Sequence, residues 1–267
     1  MSQQTIPVYN TFVFDLDGTL LDTLPDLVEL TNEALREQGF PSRTRDEIHS
    51  FVGAGAEALI RLAVPATATS EQADATMRRW KELYPIIGNK LTRAYPHMVE
   101  TLQELKGRGV RLGVLSNKFD AGVHDVINLY LPDIFDVMHG ESEEIPRKPD
   151  PTGLLRTIAE LDSTPAQTVY VGDSGTDVAV SRNAGVFSLG AAWGYHGAAG
   201  LRKAGADAVI EDPRELLRFA PEYDYTAPKT ACPIIRKEFQ VRKKVIKARV
   251  YVTAKGLYEL RLNGEKV

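Results

Sequence analysis

Short unbroken apolar runs alternate with stretches of helical spacing over much of this chain. Thr11-Phe-Val-Phe14 is one such run; it ends in Asp15 and predicts a buried strand. From Asp22 to Pro96 no strand pattern is evident. Leu27, Leu30, Ala34 and Leu35 are spaced for a helix. Pro25 stands near its start, where a missing N–H costs nothing, and Gly39 supplies a C-terminal stop. Further helices are predicted over 45–52, 56–62 and 71–84. After Pro96 the pattern becomes regular, with helices predicted over 98–106, 122–129, 152–161, 177–184 and 214–219. Strands are predicted between them over 110–115, 135–138, 168–171 and 187–190, with a short one over 208–210. This alternation predicts an α/β fold, with a parallel sheet covered by helices on both faces. The strands are continuous apolar runs because both of their faces are buried.

The pattern divides the chain into three parts. Residues 1–22 and 95–220 form the α/β core, 23–94 a helical insertion, and 221–267 a tail. The tail breaks the alternation: strands are predicted over 234–239, 245–252 and 257–262, with a turn at Leu262-Asn263-Gly264-Glu265. Charge divides in the same place. The net charge is −4 overall, but the tail carries +6 and the rest −10. An acidic body argues against nucleic-acid binding.

At 43% hydrophobic and 25% charged, the composition is that of a globular chain rather than a disordered one. Cys232 is the single cysteine, which excludes an internal disulfide and a cysteine-based zinc site. His49, His97, His124, His139 and His196 are scattered, with no metal-ligand spacing. No apolar run approaches the ~20 residues of a membrane helix, and the first residues do not read as a signal peptide. A cytoplasmic location without membrane attachment is the expectation.

In an open parallel sheet, ligands bind beyond the carboxyl ends of the strands. Four of these ends carry chemistry: Asp15-Leu-Asp17-Gly18-Thr19-Leu20, Ser116-Asn117-Lys118, Lys148-Pro149-Asp150-Pro151, and Gly172-Asp173-Ser174-Gly175-Thr176-Asp177. Two carboxylates one residue apart, joined by acids from another strand, make a hard oxygen site such as Mg²⁺ takes. A carboxylate can attack phosphorus, and a lysine and a hydroxyl can neutralise the phosphoryl oxygens. Gly18 permits close backbone approach to a phosphate, and Pro149 favours an extended Lys148. Singly, each motif has a structural reading: Asp-x-Asp as a turn or cap, Ser116-Asn117 as a helix cap, Gly-Asp-x-x-x-Asp as capping with dipole complementation. All four together, each after a predicted strand, point to phosphoryl chemistry.

Those motifs, in that order, resemble the haloacid dehalogenase-like superfamily over about residues 10–220. The resemblance implies a Rossmann-like parallel-sheet core, with the helical insertion as the family's α-helical cap. It implies Asp15 as nucleophile, Asp17 as general acid/base, and Ser116 and Lys148 as phosphate-binding and charge-stabilising groups. Magnesium would be held by the Asp15 side chain, the Asp17 carbonyl and Asp173, with Asp177 as a further ligand or a supporting acid. Gly18, Thr19, Asn117, Gly53 and Gly55 are the candidate phosphate- and substrate-binding positions. Asp17 argues against dehalogenation, which lacks an acid/base there. No lysine in 24–38 matches the one that phosphonate-cleaving members use.

Leu21-Asp22-Thr23, Phe51-Val52-Gly53-Ala54-Gly55 and Arg147-Lys148-Pro149-Asp150-Pro151 narrow the match to the phosphoglycolate phosphatase group. The implied activity is Mg²⁺-dependent hydrolysis of a small phosphorylated metabolite, by a monomer or homodimer. Phosphosugar mutation and pyrophosphate hydrolysis share the same core motifs. Gly53-x-Gly55 is either a loop that closes over substrate or a plain helix-to-helix turn. Trp80 reads as insertion core. Trp193-Gly194-Tyr195-His196 either approaches the site or packs as a loop. The tail resembles the start of the N-terminal β domain of bacterial α-L-rhamnosidases, through Arg236-Lys-Glu-Phe239, Ala248-Arg-Val-Tyr251 and 256–264. That resemblance implies an accessory, sugar-binding or interaction module, dispensable for hydrolysis.

Overall fold

The computed structural model describes residues 7–222, together with the main chain of Arg261–Leu262 and Glu265–Lys266. The chain divides into two compact units, Met1–Tyr225 and Thr226–Val267. In the first, β1 (Thr11–Phe14) is followed by β2 (Leu21–Asp22), α1 (Leu24–Glu37), α2 (Arg45–Phe51), α3 (Gly55–Ala63), α4 (Ser70–Ile87) and β3 (Arg93–Ala94). Then come α5 (Met98–Gly107), β4 (Arg111–Phe119), α6 (Asp120–Tyr130), β5 (Val137–Glu141) and α7 (Thr152–Glu160). The chain continues through β6 (Thr168–Gly172), α8 (Gly175–Ala184), β7 (Phe187–Ala191), α9 (Gly197–Ala204), β8 (Ala208–Ile210) and a 3₁₀ helix, Pro213–Phe219.

The main sheet has the order β5-β4-β1-β6-β7-β8, and every pairing in it is parallel. β1 is central. The chain builds outward from it through β4 and β5, then returns to its other side at β6. That reversal opens a crevice at the carboxyl end of β1. Phe14 pairs with Val114 on one side and Val171 on the other. The residues just past these three positions are therefore brought together.

Alternation along the strands sends side chains to two faces. Phe12, Phe14, Leu112, Val114, Val169 and Val171 pack with Met98, Leu102, Val123 and Val126 of α5 and α6. Val13, Leu115 and Tyr170 pack on the other face with Leu154 and Ile158 of α7 and Val180 of α8. The helices α1 to α4 have a separate core, built from Leu30, Leu35, Ile48, Ile60, Trp80 and Leu83. Trp80 is buried there, with its indole N–H donated to Thr31 Oγ1 at 3.3 Å. Thr44 and Thr69 start α2 and α4 with reciprocal capping boxes.

Several elements differ from the sequence reading. The insertion is entered and left through a two-residue antiparallel ribbon, Leu21 to Ala94 and Asp22 to Arg93. So a strand does lie before Pro96, too short to show alternation. Asp26 clasps the return path: its carboxylate accepts the main-chain N–H groups of Lys90, Leu91 and Thr92 and the Thr92 hydroxyl. β4 runs on through Phe119 with a register shift after Leu115, so Ser116-Asn117-Lys118 lies within the strand rather than beyond it. Pro149 follows Lys148 through a cis peptide bond.

α9 has no counterpart in the predicted elements; its glycine-rich sequence carries little helical patterning. Residues 213–219 form a 3₁₀ helix instead of an α-helix. In the tail, the predicted strands over 234–239 and 245–252 lie outside the described residues, as does 257–260. Arg261–Leu262 pairs antiparallel with Glu265–Lys266, Leu262 opposite Glu265; the residues between them, 263–264, lie outside the described residues. Among the described residues, no helix is long and apolar enough to cross a membrane.

Candidate active site

Asp15 is the first residue beyond β1, and its N–H donates to Val171 O at 2.9 Å. That bond ties the loop after β1 to the end of β6. Asp173 follows β6 directly, and Asp177 lies one turn into α8. Asp15, Asp173 and Asp177 each bring a carboxylate oxygen to within 4.8 Å of the others, all three buried. Glycine makes the crowding possible. A Cβ at Gly18 (φ +86°) would stand 2.6 Å from Asp173 Oδ2, and one at Gly172 would stand 2.3 Å from the Asp177 side chain.

Lys148 reaches this cluster from the loop after β5. Its Nζ lies 2.8 Å from Asp15 Oδ1 and 2.7 Å from Asp177 Oδ1. It also donates to Tyr170 Oη at 3.0 Å, and that hydroxyl donates to Leu115 O at 2.8 Å. Burial works against the lysine's charge, but Asp15 and Asp177 outweigh it and hold the ammonium well above the ordinary lysine range. The contact with Asp15 lacks hydrogen-bond alignment, so Asp15 Oδ1 is buried with no hydrogen-bond partner. Burial pushes the Asp15 carboxyl up to about 7; Lys148 pulls it down, while Asp177 and Asp173 push it further up. Asp173 is likewise raised by burial, against the opposing pull of His196 and the Tyr195 N–H.

The three carboxylates are not equally free. Asp177 Oδ2 accepts the N–H of Ser174 at 2.9 Å and its hydroxyl at 2.6 Å, in the capping box that starts α8, and Oδ1 accepts Lys148. Asp173 accepts Thr19 Oγ1 at 3.2 Å and the Tyr195 N–H at 2.7 Å, one on each oxygen. Asp15 has the orphaned oxygen. This is a set of hard oxygen donors with an excess of negative charge and unfilled acceptor capacity, which fits a small divalent cation such as Mg²⁺. Asp15 and Asp173 are the freer donors; Asp177 is committed to Lys148 and Ser174.

A cavity opens above Asp15, with about 50 Å³ accessible to the centre of a water molecule. Its floor carries Asp15, Asp17, Ser116, Lys118 and Lys148, and its roof Leu27, Val52, Leu59 and Trp80 of the insertion. Asp17 stands outside the carboxylate cluster. Its Oδ1 accepts the Thr23 hydroxyl at 2.7 Å and lies 3.5 Å from Lys118 Nζ. Ser116 does not cap α6; it is buried, and its Oγ accepts the Lys118 N–H at 3.3 Å.

Of the sequence-derived phosphate-binding positions, Asn117, Gly53 and Gly55 line the cavity. Gly18 and Thr19 face Asp173 instead. The polar atoms of the Asn117 side chain bond to Lys148 and to Gly53 O.

Four residues of the site have no assigned role in the sequence reading, and Tyr170 is not named there at all. Lys118 is buried, with its ammonium 5.5 Å over the Tyr84 ring. Tyr170 comes from the far face of β6, where a buried apolar run conceals it. Thr23 holds Asp17. Tyr195 holds Asp173 through its N–H and bonds through its hydroxyl to the N–H groups of Thr23 and Leu24, at 3.2 and 3.1 Å. The signal for Tyr195 was the adjacent glycine. A Cβ at Gly194 would stand 2.3 Å from both Asp173 and Gly18 O, so the 193–196 loop approaches the site closely.

Residues 12–191 match the family model for haloacid dehalogenase-like hydrolase. A phosphoglycolate phosphatase of Vibrio vulnificus strain CMCP6 is 35% identical over 225 residues, 81% of this chain and 97% of the relative. One of Aquifex aeolicus is 31% identical over 186 residues, 68% of this chain and 84% of the relative. A crystal structure from Haemophilus somnus 129pt, titled a predicted phosphoglycolate phosphatase, superposes with a TM-score of 0.74 at 28% identity. It covers 79% of this chain and 97% of its own.

Proposed function

The chain belongs to the haloacid dehalogenase-like hydrolase family, and from that premise we propose a magnesium-dependent phosphatase of small phosphate monoesters, 2-phosphoglycolate first, acting through an aspartyl phosphate on Asp15. The observation that carries this reading is the buried Asp15 oxygen with no hydrogen-bond partner, at the floor of a cavity and beside Lys148. A nucleophile needs a free lone pair aimed at its target, together with charges that accept an incoming phosphate.

In the first step, Asp15 forms a bond to phosphorus as the ester oxygen leaves, and Asp17 gives that oxygen its proton. In the second, Asp17 takes a proton from water as the water oxygen attacks phosphorus, releasing phosphate and restoring Asp15. Thr23 orients Asp17 throughout. Lys148 offsets the negative charge of Asp15, and the Ser116 hydroxyl, on the cavity floor, would donate to a phosphoryl oxygen. Asp15, Asp173 and the Asp17 main-chain carbonyl would hold Mg²⁺, with Asp177 keeping Lys148 in place. When bound, the ion offsets the repulsion between Asp15 and the phosphate.

The insertion acts as a cap whose apolar roof excludes water until the phosphoenzyme forms. The size of the cavity favours an alcohol of two or three carbons over a hexose. Lys118 adds a buried cation beside Asp17, which suits an anionic group on that alcohol, such as the carboxylate of glycolate. The partner is thus a small phosphorylated metabolite, met by a monomer or homodimer.

Phosphate release from phosphoglycolate, sugar phosphates, nucleoside monophosphates and pyrophosphate, with Mg²⁺ and with chelator, tests the proposal. Mg²⁺-dependent release strongest on phosphoglycolate supports it entire. Strongest release on another ester keeps the mechanism and discards the substrate. No release from folded, Mg²⁺-loaded protein overturns it.

A further inference from the structure

The Asn117 side chain sits at the seam between the core and the insertion, and all of its polar atoms are engaged. Oδ1 accepts the Lys148 N–H at 2.7 Å, and Nδ2 donates to Lys148 O at 3.3 Å and to Gly53 O at 2.9 Å. The amide has one orientation in this network, because a donor faces one end and two carbonyls face the other. Asn117 therefore brackets both main-chain polar groups of Lys148 and ties the same amide to the turn between α2 and α3.

Two further observations place the seam there by construction. A Cβ at Gly55 (φ +85°) would lie 3.1 Å from Asn117 O and 3.0 Å from Arg147 Nε, so glycine is what lets the turn come this close. Arg147, the residue before Lys148, reaches Glu57 of α3 at 3.7 Å and Glu141 at 2.6 Å. The loop carrying Lys148 thus meets the insertion at two points, one through Asn117 and one through Arg147.

We propose that Asn117 is a positioning residue that couples closure of the insertion to the placement of Lys148. With the turn docked, Gly53 O fixes one hydrogen of the amide, and the amide fixes the Lys148 backbone so that Nζ stands between Asp15 and Asp177. With the turn withdrawn, Asn117 loses one of its three bonds and Lys148 loses part of its bracket. The charge arrangement at Asp15 is then complete only when the roof is closed over substrate, which confines phosphoryl transfer to the closed form. This proposal rests on the reading that Asp15 and Lys148 carry the hydrolysis.

The test uses two variants that touch the latch from opposite sides. Asn117→Asp keeps the shape and the Lys148 N–H bond but presents acceptors to both carbonyls. Gly53→Ala places a methyl in open space, but at φ +117°, which disfavours the docked turn by its backbone alone. In the full chain with Mg²⁺ and phosphoglycolate, each variant is expected to lower kcat about tenfold or more, with KM moving less than about threefold. The double variant should fall no lower than Asn117→Asp alone, because that variant already breaks the contact to Gly53 O that Gly53→Ala disturbs. Amide exchange over 52–56, measured without substrate, should quicken in Asn117→Asp.

Wild-type kcat in Asn117→Asp, multiplicative losses in the double variant, or unchanged exchange at the turn would each overturn the coupling. If the wild-type protein hydrolyses no ester, the proposed function fails, and exchange alone decides the latch: faster supports it, unchanged overturns it.

Discussion

The two halves of the cavity are made of different material. The core half is a mesh of charges in which the groups around Asp15 hold one another: Lys148 is held by Asp177 and Tyr170, Asp177 by Ser174, and Asp173 by Thr19 and Tyr195. The insertion half is hydrocarbon, with Leu27, Val52, Leu59 and Trp80 packed on a core of their own. Hydrocarbon packing tolerates substitution if volume is kept, whereas a buried polar network fails when one member goes. Chemistry in the core half should therefore be brittle, and the choice of alcohol in the roof half adaptable.

The sharpest way to break that contrast is Asp15→Asn. The amide cannot form the phosphoenzyme, and hydrolysis should fall by roughly 10⁴-fold or more while the fold remains. Phosphate release and a thermal melt check both halves of the statement. Residual turnover within about tenfold of wild type would move the nucleophile elsewhere. Next in size is Lys148→Met. It leaves two buried carboxylates facing one another without their cation, which should cost roughly 3–5 kcal/mol of stability and about 10²–10³-fold in rate. Denaturant unfolding without Mg²⁺ reads the first figure. A loss under about 1 kcal/mol would show that the carboxylates take up protons in its place.

The same contrast explains what could be read from sequence. The apolar runs 11–14, 110–115 and 168–171 are followed by Asp15, by Ser116 and, after Gly172, by Asp173, so the fold and the charged floor follow from periodicity and the ends of those runs. Asn117 was legible as a site residue, but not its bonds to Gly53 O and Lys148, which depend on tertiary placement. Tyr170 was hidden for the same reason: it reaches the site from a segment whose local pattern serves another purpose. For Tyr195 the sequence left open whether its loop approaches the site or packs. Lys118 was concealed by the extension of β4, which carries it inward where a loop would have left it at the surface. The β2–β3 ribbon, two residues on each side, is too short for any periodicity to reveal.

Proton linkage gives a smaller effect. The Asp15 carboxyl is raised to about 7 in the folded chain, against about 4 when unfolded. A raised group contributes stability that is fully present below its unfolded value and is lost as pH rises through its folded one. Without metal, this group therefore favours the fold at pH 5 over pH 8. Mg²⁺ needs the carboxylate, so its apparent affinity should drop up to about tenfold per pH unit below 7, and added Mg²⁺ should reverse the stability trend above it. Melts with Mg²⁺ and with chelator across pH 5–8 measure both. A metal-free melt that rises steadily from pH 5 to pH 8 would contradict an Asp15 carboxyl raised by burial.

The smallest effect isolates the comparison most cleanly, because one local motif occurs in both halves. Thr69 and Gln72 form a capping box at α4 of the insertion, and Ser174 and Asp177 form another at α8 of the core. Replacing either cap residue by alanine should cost about 0.5–2 kcal/mol, since each satisfies an orphan N–H of a first helical turn. Thr69→Ala should stop there, because Gln72 touches no charged member of the site. Ser174→Ala should also lower kcat, by about three- to tenfold. Its hydroxyl is a 2.6 Å donor to Asp177 Oδ2, and Asp177 Oδ1 is what holds Lys148. Without that donor the carboxylate gains freedom to turn, and Lys148 with it. Matched losses of stability with unequal losses of kcat would show that the core has drawn a helix cap into its charge mesh. Equal kcat in both variants would mean that Asp177 is fixed by Lys148 and the helix N-terminus alone.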